Sequence, residues 1–424
     1  MMKNFVQKFS IIMGDRQLRT RILFVIAGLA LTRVFAAIPI PGVDINALSQ
    51  FFANNQFFGL LNLFSGGGLS GLSIVMLGVG PYITGSIIMQ LLTILSPQLK
   101  AMFHEEGEAG RRRIAQYSRL LTVPLAALSA FGFITLLQRN GVIGDLSSLS
   151  LITNIIVIVA GSVLLMWVGE LISEFGIGNG MSLIIFAGIV SRIPSALQTT
   201  VFSFTPEQLP MYLAFLVVGL IIVIGVVIVT EAERPIPVTY AKQIRGNKVY
   251  GGVSTYLPLR VNQAGVMPII FALSILLFPG MIANFLAGVA NPIVQKMVAG
   301  VQWFLNNGWS YGVAYFLLVF LFTYFYTAVT FDPDAISKNL QRGGAFIPGV
   351  RPGQSTSEHI ANILTRLTLL GASFLGVIAI LPLIMQGLTG ITSLAVGGTG
   401  LLIAVSVIID LVKKIDAQVS LREY

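Results

Sequence analysis

The chain has 424 residues, of which 55% are hydrophobic and only 10% are charged, and its formal net charge is +9. Soluble domains carry roughly a quarter charged residues, so this deficit excludes an ordinary soluble protein and predicts one embedded in a bilayer. The absence of cysteine excludes disulfides, thiolate metal sites and cysteine nucleophiles. His104 and His359 lie in polar stretches between apolar runs, so neither a buried histidine metal site nor a proton relay is expected.

Ten apolar segments are candidates for membrane-spanning helices, because about 20 apolar residues cross a bilayer. In chain order they cover about 22–40, 72–95, 120–137, 151–169, 181–196, 211–230, 264–287, 311–330, 363–386 and 396–412. The first segment is long enough to span and ends in Ile38-Pro39-Ile40-Pro41-Gly42 rather than in a small-residue cleavage site. We therefore expect it to remain as the first span. The predicted fold class is an all-α polytopic membrane protein.

Basic residues fix the orientation of these spans. Ten spans place both termini on one side of the membrane, and the connecting segments alternate between the two sides. With this assignment, 22 of the 26 lysines and arginines fall on the side of the termini. The exceptions are Arg33, Arg139, Arg192 and Lys296. The positive-inside rule makes the basic side cytosolic. We expect a multi-pass protein of the cytoplasmic membrane with a cytosolic arm (1–21) and a cytosolic tail (413–424).

The segment 57–73 is apolar but interrupted by Gly66-Gly67-Gly68. Each glycine costs a helix roughly 1 kcal/mol relative to alanine, so three in a row are expected to end one. The segment is interpreted either as a re-entrant piece, tolerated at membrane depth where protein or a water-filled cavity surrounds it, or as a loop lying on the outer surface. The sequence favours neither.

Two long cytosolic loops, about 231–263 and 331–362, combine glycines, prolines and arginines. Long structured loops on the basic side predict a docking surface for a large acidic partner. The alternative is charge that serves only to orient the spans, and it accounts for most of the basic residues.

Catalytic and ion-coupling groups are scarce in the predicted spans. Arg33 is the one charge well inside a span, near its outer end, where it can snorkel or pair. The run Gly176-Ile177-Gly178-Asn179-Gly180 lacks the Lys-Ser/Thr of a phosphate loop and is interpreted as a turn between spans. An enzyme is therefore not expected. A secondary transporter is the strongest rival class, disfavoured because it needs polar coordination near the midplane.

Seven motifs, in order along nearly the whole chain, resemble the SecY/Sec61-alpha family of channel-forming translocon subunits. They are Ile38–Asp44 (IPIPGVD), Leu63–Leu69 (LFSGGGL), Pro81–Ile83 (PYI), Glu106–Arg112 (EGEAGRR), Gly176–Gly180 (GIGNG), Glu233–Pro237 (ERPIP) and Gly349–Gly353 (GVRPG). The resemblance implies a protein-conducting channel that moves secretory polypeptides across the cytoplasmic membrane and releases hydrophobic segments sideways into lipid. It also implies that this chain carries no cofactor and depends on its partners for energy.

The resemblance further implies an hourglass of two inverted five-helix halves, 22–196 and 197–412, closed by a plug at about 57–73. The implied plug residues are Leu63, Phe64, Ser65, Gly66, Gly67, Gly68 and Leu69. The implied constriction is a ring of Val79, Ile83, Ile185, Ile189, Ile270 and Ile403. Without the resemblance, the pairs Ile83/Ile87 and Ile185/Ile189 would be interpreted as ordinary packing at one-turn spacing.

A lateral gate is implied between spans two and three on one side and seven and eight on the other. Asn262, Ser129 and Phe278 are its candidate residues, although the family often has glutamine where Ser129 stands, and Asn262 is equally well interpreted as a helix-end hydrogen bond. The implied docking residues are Arg351, Arg245, Lys248 and Arg342. The implied partners are SecE, SecG, the motor ATPase SecA, the translating ribosome through its RNA, nascent secretory or membrane proteins with their signal sequences, and lipid.

Overall fold

The computed structural model is predominantly helical. It describes residues 14–40, 68–69, 71–104, 106–139, 143–144, 147–191, 193–194, 198, 209–241, 243–245, 248–250, 254–286, 289, 291–389 and 392–420. The helices are α1 Arg16–Ala36, α2 Gly80–Leu95, α3 Pro97–His104, α4 Gly107–Arg139, α5 Ser148–Phe175, α6 Gly180–Val190, α7 Leu209–Glu231, α8 Met267–Leu286, α9 Pro292–Asn306, α10 Gly308–Thr330, α11 Pro333–Arg342, α12 Gln354–Thr389 and α13 Thr392–Ser420. The strands are β1 Glu233–Tyr240, β2 Gln243–Arg245, β3 Lys248–Tyr250, β4 Ser254–Arg260 and β5 Ala345–Phe346.

Short polar side chains start several of these helices. The Asp15 carboxylate accepts hydrogen bonds from the N–H groups of Gln17 and Leu18 at 2.7 and 3.1 Å, which satisfies two of the free donors at the start of α1. Asn179 starts α6 in the same way. It follows Gly178, whose φ of +96° suits glycine. The glycine-rich run 176–180 is therefore the turn between α5 and α6, as predicted.

Every predicted span overlaps one of the long helices, with differences at the ends. The helix of the second span covers only Gly80–Leu95, because 71–79 form turns, and α12 continues through Pro382. Among the described residues, four helices are long and apolar enough to cross a membrane by themselves, within α4, α5, α10 and α12. A fifth candidate is α2 with α3, bent by 108° between them. The full set of ten crossings stays a prediction.

The ten helices that overlap the predicted spans form two groups of five with similar internal contact patterns. The first group contains α1, α2, α4, α5 and α6, and the second contains α7, α8, α10, α12 and α13. Taking the members of each group in chain order, the second contacts the third, the third the fourth and the fourth the fifth, and the first contacts both the fourth and the fifth. The principal contacts between the groups join α8 to α2 and α4, and α13 to α6.

Within the predicted loops 231–263 and 331–362, strands β1, β4 and β5 and helix α11 form a layer at one end of the bundle. β1 pairs antiparallel with β4 over Glu233–Thr239 and with β5 at Thr239 and Tyr240, giving the strand order β4-β1-β5. Ile236 and Val238 alternate with exposed Pro235 and Pro237 along β1, so the strand buries one face. That face packs with α11 and the start of α12 in its own apolar cluster.

Candidate functional site

The six residues of the implied ring all lie in described parts of the chain, and all are buried in the largest apolar cluster. Val79 precedes α2 and Ile83 lies in its first turn. The others come from α6, α8 and α13. These four helices are among those that join the two groups of five, so the ring positions lie on the elements where the groups meet. The assignment to a constriction stays a prediction.

The end of the predicted plug segment is anchored by backbone hydrogen bonds. The N–H of Ile40 donates to Leu72 O at 2.8 Å, and the N–H of Ile74 donates to Ile38 O at 2.9 Å. The chain leaving α1 is thus paired antiparallel with the chain entering α2. Ser73 closes a small loop, because its N–H and its hydroxyl both donate to Gly68 O, at 2.9 and 3.0 Å.

Leu72 lies inside this anchor with φ of +40°, a conformation that costs a leucine roughly 1–2 kcal/mol. Its side chain and that of Leu69 are fully buried, and this burial with the flanking hydrogen bonds holds the strained residue in place. Of the implied plug residues, Gly68 and Leu69 are described, whereas Leu63, Phe64, Ser65, Gly66 and Gly67 lie outside the described residues.

A close backbone approach fixes the anchor against the bundle. A Cβ at Gly161 of α5 would lie 2.0 Å from Ile74 O, far inside van der Waals contact, so only glycine fits there without movement. Sequence inspection did not single out Gly161, since one glycine in an apolar helix looks the same whether it serves packing or flexibility.

The predicted gate corresponds to the contact of α8 with α2 and α4. Ser129 on α4 and Phe278 on α8 are both half-buried. Asn262 precedes α8 by five residues and packs against α12, where a Cβ on Gly371 would lie 3.7 Å from its Cα. Its amide nitrogen donates to Gly265 O at 3.1 Å, which is the local hydrogen bond expected at a helix end. The gate role of these three residues stays a prediction.

A polar cavity of about 230 Å³ opens between the ends of α6, α8, α10 and α13. Asn262 lines this cavity, and its buried Oδ1 has no hydrogen-bond partner. The rim is charged. The Lys413 Nζ of α13 lies 2.9 Å from the Glu231 Oε1 of α7, and the same ammonium group donates to Thr230 O at 3.0 Å. The unpaired Oδ1 of Asn262 and the hydroxyl groups of Ser182 and Ser406 in this lining can exchange hydrogen bonds with water.

Arg351 lies at a tightly held corner of the folded loops and is exposed. The Ser337 hydroxyl of α11 donates to Gly353 O at 2.6 Å, and the Thr356 hydroxyl donates to Arg351 O at 2.8 Å. Ser357 donates to the Asp334 carboxylate. Ser337, Thr356 and Ser357 were not identified from sequence, because serines and threonines near glycines are too common in loops to stand out.

Of the other predicted docking residues, Arg342 is the exposed last residue of α11 in the same layer. The backbones of Arg245 and Lys248 pair between β2 and β3, which form a separate two-stranded sheet. The layer therefore presents the cations of Arg342 and Arg351 at one end of the bundle, as an electrostatic docking surface requires. Among the described residues, no group of three His, Asp or Glu side chains is arranged to hold a metal.

Comparisons with known proteins identify the family. Residues 73–412 match the SecY family model. The chain is 44% identical over 419 residues to the protein translocase subunit SecY of Thermus thermophilus, covering 96% of this chain and 94% of that protein. It is 42% identical over 428 residues to the SecY of Mycobacterium bovis, covering 96% of each.

Solved structures share the fold. "The structure of a protein conducting channel" matches with a TM-score of 0.65 at 20% identity, covering 95% of this chain and 93% of that one. Sec61 from a canine ribosome–channel complex of the endoplasmic reticulum matches with a TM-score of 0.61 at 19% identity over the same shares. These matches confirm the resemblance to the SecY/Sec61-alpha family that the sequence motifs indicate, and they do not favour the alternative interpretation as a secondary transporter.

Proposed function

The chain belongs to the SecY family of protein translocase subunits, and from that premise we propose that its two groups of five helices enclose a polypeptide-conducting channel. The observation that carries the proposal is the position of the six ring residues. All are buried in one cluster, on helices at the contacts between the two groups. A passage between two half-bundles opens when they separate slightly, and it closes on whatever side chains line the seam.

The chemistry of the ring suits a pathway for many different polypeptides. Five isoleucines and one valine offer no hydrogen bonds, so a passing chain is not held at any particular sequence. β-branched side chains are stiff, and an apolar constriction resists wetting when empty. Such a ring surrounds a polypeptide without binding it and excludes ions between substrates.

The two groups of five are proposed to be inverted halves, 22–196 and 197–412. An odd number of spans in the first half makes the second half start on the opposite side of the membrane. The matching contact patterns support the repeat. Together the halves form an hourglass with ten crossings, closed by the plug at 57–73, in the cytoplasmic membrane with both termini cytosolic.

The lateral exit is proposed to lie where α8 meets α2 and α4. The other principal contact between the groups, between α6 and α13, is proposed to act as the hinge. A hydrophobic signal sequence leaving through this seam gains about 25 cal/mol for each Å² of apolar surface removed from water. Asn262, Ser129 and Phe278 are its proposed gate residues.

The folded cytosolic layer is proposed to dock the partners that supply energy, SecA or a translating ribosome. Its support is the exposed Arg351 corner, held by Ser337 and Thr356, with Arg342 on the adjacent helix. Binding of ribosomal RNA to such a surface is electrostatic and weakens with salt. SecE and SecG are the proposed membrane partners. No catalytic role is proposed for this subunit.

The test uses the absence of cysteine. A cysteine is placed at Ile83, or at the exposed control Leu216 on α7, and a secretory precursor with one cysteine is stalled midway through export. A disulfide at position 83 and none at 216 is the expected result. Efficient export without a disulfide at position 83 would mean that the passage lies elsewhere.

A further inference from the structure

Helix α9, Pro292–Asn306, has two different apolar surfaces, and only one is covered by protein. The covered apolar residues are Val294, Val298, Val301, Phe304 and Leu305. The uncovered surface carries three large apolar side chains: Ile293 is 67%, Met297 66% and Trp303 63% exposed.

Helical geometry gathers the uncovered side chains into one sector. At about 100° per residue, Met297 lies roughly 40° to one side of Ile293 and Trp303 roughly 80° to the other. The sector adjoins the covered apolar residues. Gln295 and Gln302 lie on the opposite side of the helix and are also exposed. The helix therefore has one apolar surface that packs against the protein, a second apolar surface that the protein does not cover, and a polar side.

The helix that follows α9 also carries exposed apolar side chains. Asn307 alone separates α9 from α10: its N–H donates to Trp303 O at 2.9 Å, and its side chain accepts from Trp309 N–H at 3.1 Å. Trp309 is 83% exposed and starts a row of exposed apolar residues along α10, one of the helices apolar enough to cross a membrane. The row continues with Val313, Leu317 and Leu321.

The position of α9 along the membrane axis follows from its neighbours. α8 begins just after β4, and α10 ends just before α11, so both have their other ends away from the cytosolic layer. α9 connects those far ends and packs against both helices. The polar side of α9, with Gln295 and Gln302, is thus available to water beyond the bundle.

We propose that α9 is an interfacial helix whose uncovered sector is immersed in the headgroup–acyl boundary of the phospholipid bilayer. Trp303 and Trp309 mark the boundary, where indole rings partition. Lys296 lies between Ile293 and Trp303 around the helix and can extend its ammonium to lipid phosphates. The bilayer surface thereby holds the connection between α8 and α10, and with it the far end of the proposed gate helix α8. This property is separate from conduction.

The experiment measures lipid contact directly. The full-length chain with Met297→Cys, labelled with an NBD fluorophore, is placed in phospholipid nanodiscs containing nitroxide lipids, with the nitroxide either in the headgroup region or deep in the acyl chain. Gln302→Cys, on the polar side of the same helix, is the matched control. Only variants with the thermal midpoint of the unsubstituted chain are compared.

The expected result is loss of emission from position 297 with the shallow nitroxide, less loss with the deep one, and little quenching by aqueous iodide. Position 302 is expected to show the reverse, with iodide as the stronger quencher. Equal iodide quenching at both positions would place the sector in water and overturn the proposal. Protection of position 297 from both lipid and aqueous quenchers would overturn it too, since a protein would then cover the sector.

Discussion

Gly161 offers a test of how the plug anchor is seated, through the change Gly161→Ala. The new Cβ would lie 2.0 Å from Ile74 O and 2.8 Å from Ile74 C, both backbone atoms. A backbone oxygen cannot rotate away as the end of a side chain can. The anchor therefore has to shift by more than an ångström, although its N–H at Ile74 donates to Ile38 O at 2.9 Å.

Three contributions set the magnitude. Overpacking costs about 1–3 kcal/mol, and weakening the Ile74 hydrogen bond adds about 1 kcal/mol. Alanine returns about 1 kcal/mol through its higher helix propensity. The net expectation is a destabilisation of about 1–3 kcal/mol, concentrated at the anchor. Gly219→Ala on α7 is the control, because its nearest neighbour, Leu401 Cδ2, is at an ordinary 3.9 Å; that change is expected to be neutral or stabilising.

Two measurements follow the change. The first is the thermal midpoint of each purified variant in detergent, expected to fall for Gly161→Ala and not for Gly219→Ala. The second is the rate at which a maleimide labels a cysteine introduced at Leu69, which is fully buried and expected to become reactive when the anchor shifts. Equal midpoints together with equal labelling rates would refute the close approach of α5 and the anchor.

Three further outcomes concern the side proposed to be cytosolic. Arg351→Glu is expected to weaken ribosome binding and to lower the slope of log affinity against log salt by about 1; an unchanged slope in co-sedimentation would argue against a phosphate contact. Ser337→Ala, which leaves charge unchanged, is expected to weaken the same binding by loosening the Arg351 corner at a cost of about 1 kcal/mol, and normal binding would show that the corner holds without it. Lys413→Met, which breaks the link to Glu231 on α7, is expected to lower stability by up to about 1 kcal/mol, against about 0.3–0.5 for Lys414→Met, whose partner is on its own helix. Equal thermal midpoints for Lys413→Met and Lys414→Met would show that the ion pair between α13 and α7 adds no more stability than the pair within α13.

Much of the helical framework was predictable because the bilayer imposes a strong rule. A spanning segment must be long, apolar and free of charge, so ten segments could be identified, and a helix was found at each. The turn at 176–180 was equally predictable, since a run with three glycines between two apolar segments favours a turn. Pattern alone misplaced the start of α2, because the turns at 71–79 are as apolar as the helix after them.

Smaller elements escaped prediction for a related reason. The strands β1–β5 and helix α11 lie in loops whose prolines and glycines hide the period-2 pattern, as at Pro235 and Pro237 in β1. α9 carries an amphipathic period, but its apolar residues are too few for a span and too many for an ordinary loop. The amphipathic pattern of α9 is visible in the sequence, but its interpretation depends on which molecule covers each face of the helix.

The sequence by itself determined the class of protein and, through seven motifs, its family, whereas the side of the membrane on which its charges lie stays a prediction. Only the tertiary structure decided which apolar residues meet. Ile83 and Ile87 follow the same helical pattern, and no periodicity tells which of them faces a seam between half-bundles. Likewise Gly161 became informative only once Ile74 was found against it. The reason is physical: periodicity reports local burial, whereas pore lining, anchors and gates depend on contacts between segments far apart in the chain.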